Sequence, residues 1–319
     1  MSAHTNRLND DATLIPIGKV VEEVGKSFPS VTQSSLRFLE REGLIVPTRT
    51  PGGHRLYSAA DVQRIVQIKE WQEQRLSLDQ IRERLEQRDR LPNPSALTQR
   101  FLEEVLQGDV EAARRNVLSA DEVGMPIWQT FSQIIEPALI EVGNGWERGT
   151  ILVAQEKTVS EVVRDLIAEL AHRHTTGETH GPAIVAACVA GERHELGLRM
   201  IVALLRASGR RVHYLGADVD TQFLVQAIRL RRPAAVLLSA RLDTHMQAVE
   251  AAVSAIQAEF DGGDRPLVVV GGQLAARRPD ELRALGTVPI PSASATDAER
   301  RVNVILESLV TPNPDERDF

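Results

Sequence analysis

Between residues 183 and 291, short apolar runs alternate with helical stretches, and no other feature limits the fold as strongly. The runs cover 183–190, 211–216, 234–239, 266–271 and 288–291. Helical patterns occupy 195–208, 221–231, 245–260 and 279–284, and a last one follows Thr296-x-x-Glu299. Strands that are apolar on both faces and separated by helices predict a doubly wound parallel sheet. Ligands of such sheets bind at the C-terminal ends of the strands.

The chain ahead of this sheet reads as helices. Leu97, Phe101, Leu102, Val105 and Leu106 make one apolar stripe; Trp128, Phe131, Ile134, Ile135, Leu139 and Val142 make a second. Val159, Val162, Val163, Leu166, Ile167 and Leu170 make a third. Stripes at this spacing predict a bundle. Ser119-x-x-Glu122 carries the signature of a capping box, and Gly143-Asn144-Gly145 predicts a break that leaves Trp146 on a turn. LPNPS (91–95) and TTGETHGP (175–182) read as linkers. Near the N-terminus, residues 14–24 predict one short helix, and residues 32–41 a second, capped by Ser30 and ended by Gly43. Two short helices and a tight turn make a helix-turn-helix. Gly52-Gly53 then predicts a hairpin carrying Arg49, His54 and Arg55, and Ser58 and Ser77 cap two further helices. The expected domains are a tail over 1–13, a winged helix-turn-helix over 14–90, a helical bundle over 91–176, a sheet domain over 177–312 and a tail over 313–319.

Charge separates the two ends of the chain. The net charge is −7, yet residues 14–69 hold 8 Lys+Arg against 5 Asp+Glu. A basic module on an acidic body suits a regulator whose body must not adhere to DNA. Aromatics at 4% exclude broad stacking platforms for single-stranded nucleic acid. A single cysteine excludes an internal disulfide and any multi-Cys zinc site. The longest apolar run, 183–190, is far too short to span a bilayer, and no signal-peptide pattern opens the chain, so a cytoplasmic protein without membrane attachment is expected. No Walker loop or Ser-His-Asp order appears, so the reading is of a non-enzyme.

The first strand ends in GERHELG (191–197), not in a dinucleotide fingerprint. Glu192 precedes His194 by two residues, at the sheet edge where ligands bind. Neutral imidazole is a good ligand for a borderline transition metal, and a carboxylate on its other nitrogen fixes the tautomer. One histidine gives one bond, so the metal must bring its own cage, as in a corrinoid or haem. His213 and His245 lack such a context and read as ordinary; Cys188 reads as core.

Two resemblances follow from these residues. LRFLEREGLI (36–45) followed by GGHRLY (52–57) resembles the DNA-binding domain of the MerR transcription regulators. The family usually has two tyrosines where Phe38 and Leu39 stand. The resemblance implies that Arg37, Arg41, Arg49, His54, Arg55 and Tyr57 face double-stranded operator DNA. Glu192-x-His194-x-x-Gly197, with Ser239 after the third strand and Gly271-Gly272 after the fourth, resembles the lower-ligand motif of Rossmann-like (flavodoxin-type) cobalamin-binding domains. It implies cobalt held by His194, with small residues leaving room for the cofactor's nucleotide tail. The bundle segment with Trp146, Val153 and Glu156 is similar to the cap of light-sensing, MerR-type cobalamin regulators (the CarH/LitR kind), with Lys157 where that family has histidine. The resemblance implies a light-responsive repressor with adenosylcobalamin, acting as a homo-oligomer (dimer or tetramer). Another cobalamin form or tetrapyrrole on the same scaffold, or a corrinoid methyl carrier, are the alternatives.

Overall fold

The computed structural model describes residues 14–50, 52–175, 177, 179–260 and 265–310. The expected tails and Pro51 of the hairpin lie outside them. The chain divides into two compact units, one up to Leu91 and one from Pro92.

The first unit opens with β1 (Ile15–Pro16), α1 (Ile17–Gly25) and α2 (Gln33–Arg41). Thr32, not Ser30, caps α2: its hydroxyl accepts from Ser35 N–H at 3.1 Å, and Ser35 Oγ accepts from Thr32 N–H at 2.9 Å. Gly43, at φ +71°, ends the helix as its position predicts. β2 (Thr48–Arg49) and β3 (Arg55–Tyr57) pair across the Gly52-Gly53 turn, and β1 joins the far side of β3. α3 (Ala59–Glu73) and α4 (Leu78–Arg90) follow, on the caps expected of Ser58 and Ser77. Val20, Leu36, Leu39, Ile45, Ile65 and Ile68 form the core between them.

The second unit begins with helices α5 (Pro94–Leu106), α6 (Val110–Glu122) and α7 (Ile127–Thr130). α7 runs through a π-helical segment, Phe131–Ile135, into α8 (Glu136–Glu147), and α9 (Val153–His174) completes a four-rod bundle. The expected linker at 91–95 does separate the two units, and Asn93 within it caps α5. Two expectations fail here. Ser119 and Glu122 lie in the last turn of α6; Asp109 is its cap. Gly143-Asn144-Gly145 is helical, so Trp146 sits on the last turn of α8. Helical packing overrides the glycines there, because a side chain at Gly145 would stand 2.6 Å from Ile151 Cδ1.

The sheet strands are β4 (His180–Val189), β5 (Arg210–Val219), β6 (Ala235–Ser239), β7 (Leu267–Gly271) and β8 (Val288–Pro289). They are parallel in the order β5-β4-β6-β7-β8. β4 begins inside the expected linker, at His180, which pairs with Arg210. Helices α10 (Leu196–Ala207), α11 (Thr221–Arg231), α12 (Met246–Glu259), α13 (Gln273–Arg277), α14 (Pro279–Ala284) and α15 (Ala295–Val310) complete the domain. Separate apolar cores fill the two faces of the sheet, as double winding requires. Ser294, rather than Thr296, caps α15 by accepting Asp297 N–H at 3.1 Å. Strand order reverses between β4 and β6, and that switch point is where such folds place a ligand.

Candidate ligand site and nucleic-acid interface

The ligand loop follows β4 directly. Gly191, at φ +82°, turns the chain, and Glu192 then folds back beneath the loop, fully buried. Its Oε1 accepts the His194 backbone N–H at 2.7 Å and lies 2.7 Å from His194 Nδ1. Its Oε2 accepts Arg241 N–H at 2.6 Å from across the switch point. A carboxylate on Nδ1 directs the proton to that nitrogen and leaves Nε2 as the free lone pair. The His194 side chain is 57% exposed, so that nitrogen faces outward. Among the described residues no three His, Cys, Asp or Glu side chains converge as a metal cage. A metal on His194 therefore has to arrive with its other ligands in place, and the donor set fits a macrocyclic cobalt centre.

The small residues gather along the same edge. Ser239 is in register with Cys188 on one side and Gly271 on the other. Gly272, at φ +86°, leaves no room for a side chain, since a Cβ would stand 2.3 Å from Ala240 O. Gly197, in the first turn of α10, borders open space. Cys188 is buried, and burial pushes its thiol up to about 12, as expected of a core residue.

Trp146, 52% exposed, and Val153, 58% exposed, flank the corner between α8 and α9. Glu156 accepts from Ser160 Oγ at 2.8 Å, and the exposed Lys157 places Nζ 3.2 Å from Glu156 Oε2. The structure therefore offers two exposed apolar side chains and an acid–amine pair on one helical hairpin.

Sequence reading missed His245. It is buried, with Nδ1 3.1 Å from Glu192 Oε2. Nothing local marks it, because the contact joins two loops distant in the chain. Glu40, Glu195 and Arg164 escaped notice for the same reason.

In the first unit Arg37 and Arg41 stand exposed on α2, and Arg41 lies over the Phe38 ring at 5.3 Å. Leu39 is buried in the core, so only one of the two family tyrosine positions borders the surface. Arg49 Nη2 meets Glu40 Oε1 at 2.6 Å, and Arg55 Nε meets Glu40 Oε2 at 2.5 Å. His54 is exposed on the hairpin. Tyr57 corrects the sequence reading: it is fully buried with its hydroxyl unpartnered, because β3 turns it into the core.

The comparisons with known proteins agree with this division of the chain. Residues 16–88 match the MerR HTH family regulatory protein family, and residues 97–171 and 182–302 each match a B12 binding domain family. The HTH-type transcriptional repressor CarH of Myxococcus xanthus is 33% identical over 215 residues, which cover 62% of this chain and 71% of CarH. The repressor CarA of the same organism is 29% identical, covering 66% of this chain and 72% of CarA. The monomethylamine corrinoid protein of Methanosarcina barkeri superposes with a TM-score of 0.56 at 17% identity, over 66% of this chain and 99% of that one. Winged helix-turn-helix, helical bundle and Rossmann-like sheet together define a regulator with a B12-binding body. The chain belongs to the CarH-like, cobalamin-binding MerR regulators. No helix among the described residues is long and apolar enough to cross a membrane.

Proposed function

We propose that the protein is a cobalamin-dependent transcriptional repressor, switched by light through adenosylcobalamin, with His194 as the lower cobalt ligand. The observation that carries this reading is the Glu192–His194 contact, which holds Nδ1 and leaves Nε2 outward at the switch point. Adenosylcobalamin supplies a light-labile cobalt–carbon bond. Around it, Ser239 and Gly271 leave space at the strand ends, Gly272 lets the backbone there close against Ala240, and Trp146, Val153 and Glu156 form the cover. Arg37, Arg41, Arg49, His54 and Arg55 meet the phosphates and grooves of operator DNA, and binding as a dimer or tetramer adds avidity. The domain limits are those drawn from the sequence, and the setting is the cytoplasm.

The test is a visible spectrum of the full chain with adenosylcobalamin, in darkness and after green light, with gel filtration of both samples. A light-dependent spectrum and elution volume are expected, both lost in His194→Ala. A His194→Ala protein with unchanged cofactor colour and coordination overturns the reading. Lys157 favours a second reading, a sensor of another cobalamin form without adenosyl photochemistry, because a solvated ammonium paired with Glu156 is a poor substitute for imidazole. Identical dark and illuminated samples would support it.

A further inference from the structure

Glu195, the residue after His194, is 7% exposed and reaches in three directions. Its Oε1 accepts Arg164 Nε–H at 2.8 Å, and its Oε2 accepts the Tyr214 hydroxyl at 2.7 Å. Arg199 Nε lies 3.0 Å from the same Oε2, and its guanidinium covers the Tyr214 ring at 5.2 Å. Burial works against the charge on Glu195, but Tyr214, Arg199 and Arg164 outweigh it and hold the carboxyl below its usual range.

Arg164 belongs to α9, the helix whose N-terminal end carries Glu156 and Lys157. It follows Lys157 by seven positions, two turns along the same face, and is paired with Glu161 as well. The contact therefore links the helix at the cover to the loop of the ligand. Backbone geometry makes the link stiff. Glu195 N–H donates to Arg193 O at 3.0 Å, and Glu195 O accepts Arg199 N–H at 2.9 Å as α10 begins. His194 sits inside that turn, so a displaced Glu195 side chain carries His194 with it. Tyr214 and Arg199 already satisfy the carboxylate from within the sheet domain, so the bond to Arg164 is not needed to solvate it.

We propose that Glu195 and Arg164 are positioning residues that couple the His194 loop to the bundle, so that cofactor loading and docking of α9 strengthen each other. This rests on His194 being the cobalt ligand.

Hydrogen exchange of the full chain, with and without hydroxocobalamin, tests it, with the visible spectrum reporting loading. In the wild type, loading slows exchange across residues 153–174. Arg164→Met still loads, but the added protection falls about fivefold or more. Arg164→Lys recovers part of it, and Glu195→Gln, which keeps the shape of the link but not its charge, gives an intermediate loss. Normal loading of Arg164→Met with undiminished protection overturns the coupling alone. If Arg164→Met does not fold, wild-type protection in Glu195→Gln overturns it. A wild type that takes up no hydroxocobalamin overturns both this inference and the ligand assignment.

Discussion

Ala295 donates its backbone N–H to Glu136 Oε1 at 2.6 Å, so a side chain of the bundle caps the N-terminus of α15 on the sheet domain. Thr296 Oγ1, one residue on, donates to Trp128 O at 3.4 Å. Removing a capping acceptor costs roughly 1 kcal/mol. Glu136→Ala should therefore lower the stability of the second unit by about that amount, while Glu136→Gln, which keeps an acceptor, should cost less than half of it. Urea unfolding of the two variants is the check. Burial, the larger influence, raises the carboxyl of Glu136, so the neutral glutamine suits the site.

Glu192 organises the ligand loop before any cofactor arrives. Its removal leaves Arg241 N–H and the loop amide of His194 without their acceptor. A buried donor left unpaired costs about 1–3 kcal/mol. Glu192→Ala should thus destabilise the cofactor-free chain by about 2–3 kcal/mol, beyond any loss of cobalamin affinity. Thermal unfolding without cofactor separates the two effects; an unchanged midpoint would assign Glu192 to ligand binding alone.

Glu40 fastens the hairpin to α2 through Arg49 and Arg55. Burial works against its charge, yet the two arginines outweigh that and hold the carboxyl below the usual glutamate range. A lowered folded-state value stabilises the fold above the unfolded value, and the gain disappears as pH falls through the folded one. Exchange protection of residues 33–57 should consequently weaken below about pH 4.5 in the wild type, and should lack this step in Glu40→Gln. The same substitution frees two guanidinium groups for phosphates, so non-specific DNA affinity should rise and its salt slope steepen by about 1–2. Filter binding at several salt concentrations reads that slope.

Gly272 has no tolerance for a side chain. Its φ is +86°, and a Cβ would meet Ala240 O at 2.3 Å. Gly272→Ala must move the ends of β6 and β7 apart, at a cost of about 2–3 kcal/mol. Gly197→Ala meets nothing within 4 Å and should be near neutral in the cofactor-free chain. Comparing the two melting curves tests whether these glycines serve backbone fit or ligand space.

The sheet was legible because burial on both faces writes continuous apolar runs, and α11 and α14 fall where the pattern puts them. The Glu192–His194 pair was legible because it is local, two residues apart. Local signals failed where a competing local signal existed. Asn93 and Asp109 cap helices that Ser119-x-x-Glu122 or the proline pair obscure, and Gly143 and Gly145 continue a helix because Ile151 packs where a side chain would be. Contacts between distant segments, Glu40 with the hairpin, His245 with Glu192 and Arg164 with Glu195, leave no trace in spacing. Tyr57 misled for a related reason: a motif names a residue, whereas strand alternation decides which way it points.

The π-helical segment Phe131–Ile135 sits in mid-rod, ahead of Trp146 on the same continuous helix. Such a segment amounts to one residue inserted into a regular helix, and each residue turns the rod by about 100°. The direction in which Trp146 looks is thus set eleven residues upstream, by a stretch whose Phe131, Ile134 and Ile135 are buried in the bundle core. Excising one residue there would turn the whole of α8 by about a quarter-turn, taking Ala138 and Val142 out of the core along with the indole.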